Sequence, residues 1–147
     1  HAEGRLTKAG TISGPYSDGA HAEGLRTTAD GLGAHAEGEN TTVYGDRSHA
    51  EGHYTTVYGD NSHASGNLAK AIHDHSFVWS DGTEFFSQGT QTFNIHATNG
   101  VHISGGSLVV AGNLDVQSGS EVFLNLPTSA GSTGSLWNDG GIVKVAP

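Results

Sequence analysis

Through its first seventy or so residues the chain never assembles the large apolar residues of an ordinary core. Small residues alternate there with large polar ones in short runs, each closed by glycine. Ser48 and Ala50 flank His49, Glu51 follows, and Gly52 ends the run. A period of two puts Ser48 and Ala50 on one face of a strand, and His49 and Glu51 on the other. Further on, Thr55 and Val57 alternate with Thr56 and Tyr58 before Gly59. That pattern points the first pair inward and the second pair outward. Gly52 and Gly59 are expected to close the corners, where a positive φ is open to glycine without steric penalty. No segment of ten or more residues shows a helical period, so the chain is predicted to be all β.

The alternation is itself repeated. His-Ala-Glu-Gly stands at 21–24, 35–38 and 49–52, and the variant His63-Ala64-Ser65-Gly66 comes next, each copy 14 residues after the last. Segments 27–31, 41–45 and 55–59 align at the same spacing. A fixed period is the signature of one unit stacked on itself. Inward positions hold only Ala, Ser, Thr and Val, which selects a narrow interior between two short strands. Residues 1–72 are therefore predicted to form a flattened parallel β-roll of 14-residue coils, each about 4.8 Å above the last. An additional copy, His1-Ala2-Glu3-Gly4, precedes His21 by 20 residues. Its six extra residues fall in a Pro- and Gly-rich excursion over 11–19 that leaves the ladder intact. After Ala71 the next glycine is missing, Ile72-His73 stands in its place, and the roll is expected to end.

From Phe77 the composition changes. All five phenylalanines and both tryptophans lie in this half, so residues 73–147 are predicted to form a separate β-rich neck and tip. Phe77, Trp79, Phe93 and Trp137 are its expected core aromatics, with a sugar-stacking surface as the alternative role for the tryptophans. Phe93, Ile95 and Ala97 alternate with polar residues, as do Val101 and Ile103 beyond Asn99-Gly100, which reads as strand, turn and strand. Further strands are expected at 107–111, 114–116 and 122–126. A hairpin is expected around Asn138-Asp139-Gly140-Gly141. Short strands between glycines leave edges that three intertwined chains would cover.

Composition narrows the function. Only 34% of the 147 residues are hydrophobic and 23 are glycine, so a lone chain has little apolar area to offset backbone entropy. Burial of its flanks against copies of itself is the expected remedy. There is no cysteine, so disulfides contribute nothing. No apolar stretch reaches spanning length, so membrane insertion is not expected. The chain has no methionine and His1 opens inside a repeat; it is expected to be a piece of a longer protein. A net charge of −9 argues against nucleic acid as a partner.

Two histidine patterns invite a metal reading. His21, His35, His49 and His63 form a ladder, with Glu23, Glu37 and Glu51 two residues beyond the first three. Zinc needs donors about 2.1 Å from one point, so the expected role is structural, as hydrogen-bonded His–Glu pairs or an interface. His73 and His75 flank Asp74, and two imidazoles at i, i+2 on a strand point the same way. Three chains on a threefold axis would bring six such rings to one transition metal. No other cofactor is expected. Asp81, Glu84, Asp115 and Glu121 are scattered through turns, and no nucleophile elbow or phosphate loop is present; an enzyme is not expected.

The Ser-His-Ala-Glu-Gly words at a 14-residue period resemble the head repeats of trimeric autotransporter adhesins (YadA-like). The same repeats occur in tail-fibre and appendage proteins of bacterial viruses. The resemblance covers residues 1 to about 72 and implies a left-handed parallel β-roll in a homotrimer. Segments 76–81 and 93–101 look like the region immediately after such repeats in phage-like surface proteins. Leu126-Pro127-Thr128-Ser129 and the stretch 134–145 look like the close of virion fibre proteins. The implied role is a structural and adhesive segment of a virion tail fibre, with other virion proteins and a host-surface glycan or protein as partners. A bacterial adhesin head on the cell surface is the alternative, and a glycan-cleaving tailspike a lesser one. The hairpin 136–145 and the excursion 11–19 are the expected contact surfaces.

Overall fold

The computed structural model describes residues 1–10, 19–105, 108–112, 136–139 and 142–145, the last two segments by their backbone alone. The chain divides into two compact units, His1–His102 and Ile103–Pro147. The first is a parallel β-solenoid of about five turns, and no helix occurs among the described residues.

Strands β1 (Ala2–Arg5) and β2 (Lys8–Ala9) form one coil. They are followed by β3 (His21–Leu25) with β4 (Thr28–Ala29), β5 (His35–Glu39) with β6 (Thr42–Val43), and β7 (His49–His53) with β8 (Thr56–Val57). β9 (His63–Ala71) runs through both halves of its coil, pairing first with β7 and then with β8. Pairing is parallel, and like residues stack on like: His21 on His35, Ala36 on Ala50, Glu37 on Glu51, Thr42 on Thr56. Ala2 meets Ala22 and Lys8 meets Thr28, so the ladder holds across the excursion, whose residues 11–18 lie outside the described ones. The second half-strands are shorter than their sequence suggested, because only two residues of each join the ladder before the corner.

The expected inward faces are the buried ones. Ala22, Ala36, Ala50 and Ala64 are fully buried, as are Val43, Val57, Thr27, Thr41 and Thr55. Valine is the largest side chain the interior fully encloses, which fits two half-coils separated by almost nothing. The inward serines bind the coils together. Ser48 Oγ donates to the Gly59 carbonyl at 2.8 Å and accepts from Ser62 N at 3.0 Å. Ser62 Oγ repeats this with the His73 carbonyl and Ser76 N. At the turn before each long strand, a carboxylate accepts a main-chain N–H from the preceding coil. Leu32 N donates to Asp46, Asp46 N to Asp60 and Asp60 N to Asp74, at 2.8–2.9 Å.

The two corner glycines serve different ends. Gly52 has φ +104, and a Cβ on it would lie 2.1 Å from the Gly66 carbonyl oxygen. Gly59 is not at positive φ; its glycine is required because a Cβ would lie 2.2 Å from the His73 oxygen. Positive φ at that corner belongs instead to Arg47, Asn61 and His75.

The ladder continues past Ile72. β10 (Phe77–Phe86) pairs in parallel with β9, Phe77 on His63 and Val78 on Ala64, with a register shift between Asp81 and Phe85. β11 (Phe93–His96) pairs on β10, Phe77 facing Phe93. A glycine is dispensable at His73 because a side chain lies above it: Ser87 Oγ accepts from Ile72 N and His73 N at 3.0 and 3.1 Å. β11 also reverses the expected parity. Phe93 is 71% exposed and Ile95 38%, whereas Asn94 is buried. Register decides this, since Phe93 continues the outward His63–Phe77 column. Asn94 suits the inward place because its amide donates to the Phe77 carbonyl and to Thr92 Oγ1 and accepts from Gln88 N.

Val101 and Ile103 belong to no strand and are exposed. Their expected hairpin is limited to the turn in which Gly100 N donates to the Ala97 carbonyl. Residues 108–112 form no strand either, and the strands expected at 114–116 and 122–126 lie outside the described residues. In the second unit β12 (Leu136–Asp139) and β13 (Ile142–Val145) pair antiparallel, Asp139 facing Ile142, as the hairpin signal required.

Candidate functional site

Because the register is parallel and exact in repeat, the outward residues of the long strands form continuous columns one strand spacing apart. The histidine column is a stack of rings. Centroids lie 4.9 Å apart for His21–His35, 4.6 Å for His35–His49 and 4.7 Å for His49–His63, with the first two pairs only 7° from parallel. His1 adds an edge-on ring at one end, and Phe77 and Phe93 prolong the stack at the other.

Alongside runs the column Glu23, Glu37, Glu51, which continues through Ser65 and Trp79. A hydrogen-bonded His–Glu pair forms outside the expected ladder, at His1, whose Nε2 lies 2.6 Å from Glu3. Elsewhere the rings stop short. His21–Glu23, His35–Glu37 and His63–Glu51 approach to 3.7 Å, beyond hydrogen-bond range. The Nε2 atoms of His21, His35, His49 and His63 are shielded from solvent and have no hydrogen-bond partner. Burial, followed by the neighbouring His63 and His35 rings, pushes His49 below the usual histidine value; Glu51 and Glu37 oppose this only in part. His49 therefore favours the neutral imidazole form.

Between the carboxylates and the glycine corners lies an open groove of about 510 Å³, lined by Glu23, Glu37, Glu51, Gly38, Gly52, Gly66, Ser65 and Trp79. Parity builds it. Outward glutamates form a wall, glycines without side chains form a floor, Ser65 takes the place after Glu51 in the glutamate column, and Trp79 takes the place after that.

Phe77 and Trp79 are half-buried and Phe93 exposed, so within the chain these three expected core aromatics are outward-column residues. The inward places beside them belong to Val78 and Ser80. Trp137 lies on β12, and nothing of its side chain is described. His73 and His75 sit on the turn between β9 and β10, not on a strand. His75 has φ +56, His73 Nδ1 lies 2.8 Å from Ser87 Oγ, and the Asp74 carboxylate accepts from Asp60 N. Among the described residues, the groups of three donors that come together are His1, Glu3 and His21, and His35, Glu37 and His49. The sequence reading missed the aspartate column, although Asp46, Asp60 and Asp74 carry the repeat period.

Fold and site together define a repeat-built parallel β-solenoid that displays ordered columns of imidazole, carboxylate and aromatic rings. Compared with family models, curated proteins and solved structures, the chain matches none of them.

Proposed function

We propose that the chain is a structural and adhesive segment of a trimeric tail fibre in a bacterial virus. In this reading its 14-residue coils form a left-handed roll, and three copies associate along their outward columns. The fibre holds a contact surface away from the virion and bears on a glycan or protein of the host surface. Its role is mechanical and adhesive, not catalytic. Three weak contacts on one rigid body multiply through effective concentration, so no single deep pocket is needed.

One observation carries the reading. Within the first unit the solenoid displays a regular outward face that the described residues of that unit leave uncovered, ending in the exposed Phe93 and Ile95. An apolar end to an otherwise polar column fits burial against further copies. Light scattering coupled to gel filtration tests this directly, with an expected mass three times the 15.1 kDa of one chain. A stable monomer at micromolar concentration refutes the association and the fibre role together. For the adhesive part, labelled trimer should bind intact bacterial cells saturably and be displaced by unlabelled trimer; binding that neither saturates nor competes refutes it.

A further inference from the structure

The unpartnered imidazole nitrogens are the feature that packing leaves unexplained. A ring nitrogen shielded from water and without a partner is unfavourable, and here the same defect recurs from coil to coil. The nearby carboxylates do not relieve it, since they stand 3.7 Å away. Of the two places where three donors come together among the described residues, one lies within the parallel part of the ring stack. One donor atom each from His35, Glu37 and His49 lie within 4.8 Å of one another, and the two rings stack at 4.6 Å and 7°.

We propose that His35, Glu37 and His49 form a binding site for a divalent transition ion of the zinc class, linking the coil of β5 to that of β7. Two imidazoles and one carboxylate are a borderline donor set that suits zinc, nickel or copper over magnesium or calcium. Tetrahedral zinc holds its donors about 3.4 Å apart at bond lengths near 2.1 Å. The His35 Nε2–Glu37 contact at 3.7 Å is already close to that spacing, and the widest pair must contract by at most about 1.4 Å on that geometry. All three side chains are only half-buried, so rotation of Glu37, which stands outside the ring stack, together with a tilt of the two stacked rings driven by their bonds to the ion, supplies the contraction with the ladder unchanged. Three protein donors leave a fourth position open to water or an exogenous ligand. The first coil offers a similar trio, but His1 is already committed to Glu3 at 2.6 Å, which makes the central trio the better site.

The test is calorimetric titration of the chelator-treated chain with zinc chloride at neutral pH, with magnesium and calcium chloride as controls. Zinc is expected to bind and to raise the melting temperature, while the controls do neither. His49→Gln and His35→Gln should each weaken binding at least tenfold, as losses of this size are common even for residues that only support a ligand. Glu37→Gln should weaken it similarly. His53→Gln and His75→Gln should bind as the parent does. The substituted positions face outward, and circular dichroism of each variant confirms that it folds. Cobalt titration adds a structural readout, since a tetrahedral site gives intense visible absorption that His49→Gln should abolish. Absence of zinc binding overturns the proposal. So does affinity that survives His35→Gln and His49→Gln, or affinity that falls with His75→Gln instead.

Discussion

Replacing Gly38 by alanine tests how closely successive coils approach. Its Cβ would lie 2.1 Å from the Gly52 carbonyl oxygen and 3.0 Å from the Gly52 carbonyl carbon and nitrogen. Both neighbours are backbone, so relief requires β5 and β7 to part locally by about 1 Å, enough to break one or two ladder bonds at about 1 kcal/mol each. Gly38 also has φ +107, a conformation that costs an alanine about 1–3 kcal/mol. The sum is about 2–5 kcal/mol, a large share of the roughly 5–15 kcal/mol that holds a domain together. Gly33 is the internal control. Its φ is +63, and a Cβ added there would meet nothing within 4 Å; Arg47, Asn61, His75 and Gln91 carry a similar φ. Gly33→Ala should cost only about 1 kcal/mol. Thermal melting followed by far-UV circular dichroism compares the two. At roughly 4–8 °C per kcal/mol, Gly38→Ala should melt about 8–40 °C below the parent and Gly33→Ala about 4–8 °C below it. Equal melting temperatures for the two variants would refute the close approach of the coils.

The orphaned hydroxyls give a prediction of opposite sign. Thr41 Oγ1 is buried without a partner, so Thr41→Val should raise stability by up to about 1 kcal/mol in urea denaturation; a loss of that size would mean the hydroxyl is satisfied. Asp60→Ala removes the acceptor for Asp46 N and should cost about 1 kcal/mol. Asp60→Asn, which keeps an acceptor oxygen, should recover most of it, and equal losses in both would assign the effect to charge. Stability should also fall on mild acidification. Folding holds His49 below its ordinary value of 6.5 through burial and the His63 and His35 rings, against the pull of Glu51 and Glu37. The unfolded chain therefore takes up this proton first. The contribution is complete above pH 6.5 and declines as pH falls below it toward the folded value. His49→Gln should flatten that decline, and an unchanged pH profile in the variant would exclude His49 as its source.

How far the sequence could be read turns on which constraint sets the face of each residue. In the coils, hydropathy and register agree: Ser48 and Ala50 are small and inward, His49 and Glu51 large, polar and outward. Alternation alone was enough there. At Phe93 the two constraints conflict. Reading apolar residues as inward places Phe93 and Ile95 in a core, whereas parallel pairing carries the outward parity of His63 through Phe77 to Phe93. Register prevails because a slip of one residue would unpair the whole strand and turn Asn94 outward, away from the three groups it bonds. The missing glycine at position 73 misled in a related way. That corner needs glycine only where another backbone carbonyl closes over it, and the presence of Ser87 there is not legible from local spacing.

Side-chain torsion is the reason that the histidines were legible as a ladder but not as a donor set. A spacing of two fixes which face His35 and Glu37 share, and the period fixes that His49 lies one coil away. Whether the nitrogen meets its own glutamate, as at His1, or stops at 3.7 Å, as at His35, depends on torsions that spacing does not encode. Stacking restricts those torsions. A ring held between two others at 4.6–4.9 Å has less freedom to tilt toward its carboxylate than the edge-on His1 ring at the end of the stack. The column thus leaves its interior nitrogens unbonded for the same reason that it is orderly, and that places an uncommitted donor set at His35 and His49, inside the stack.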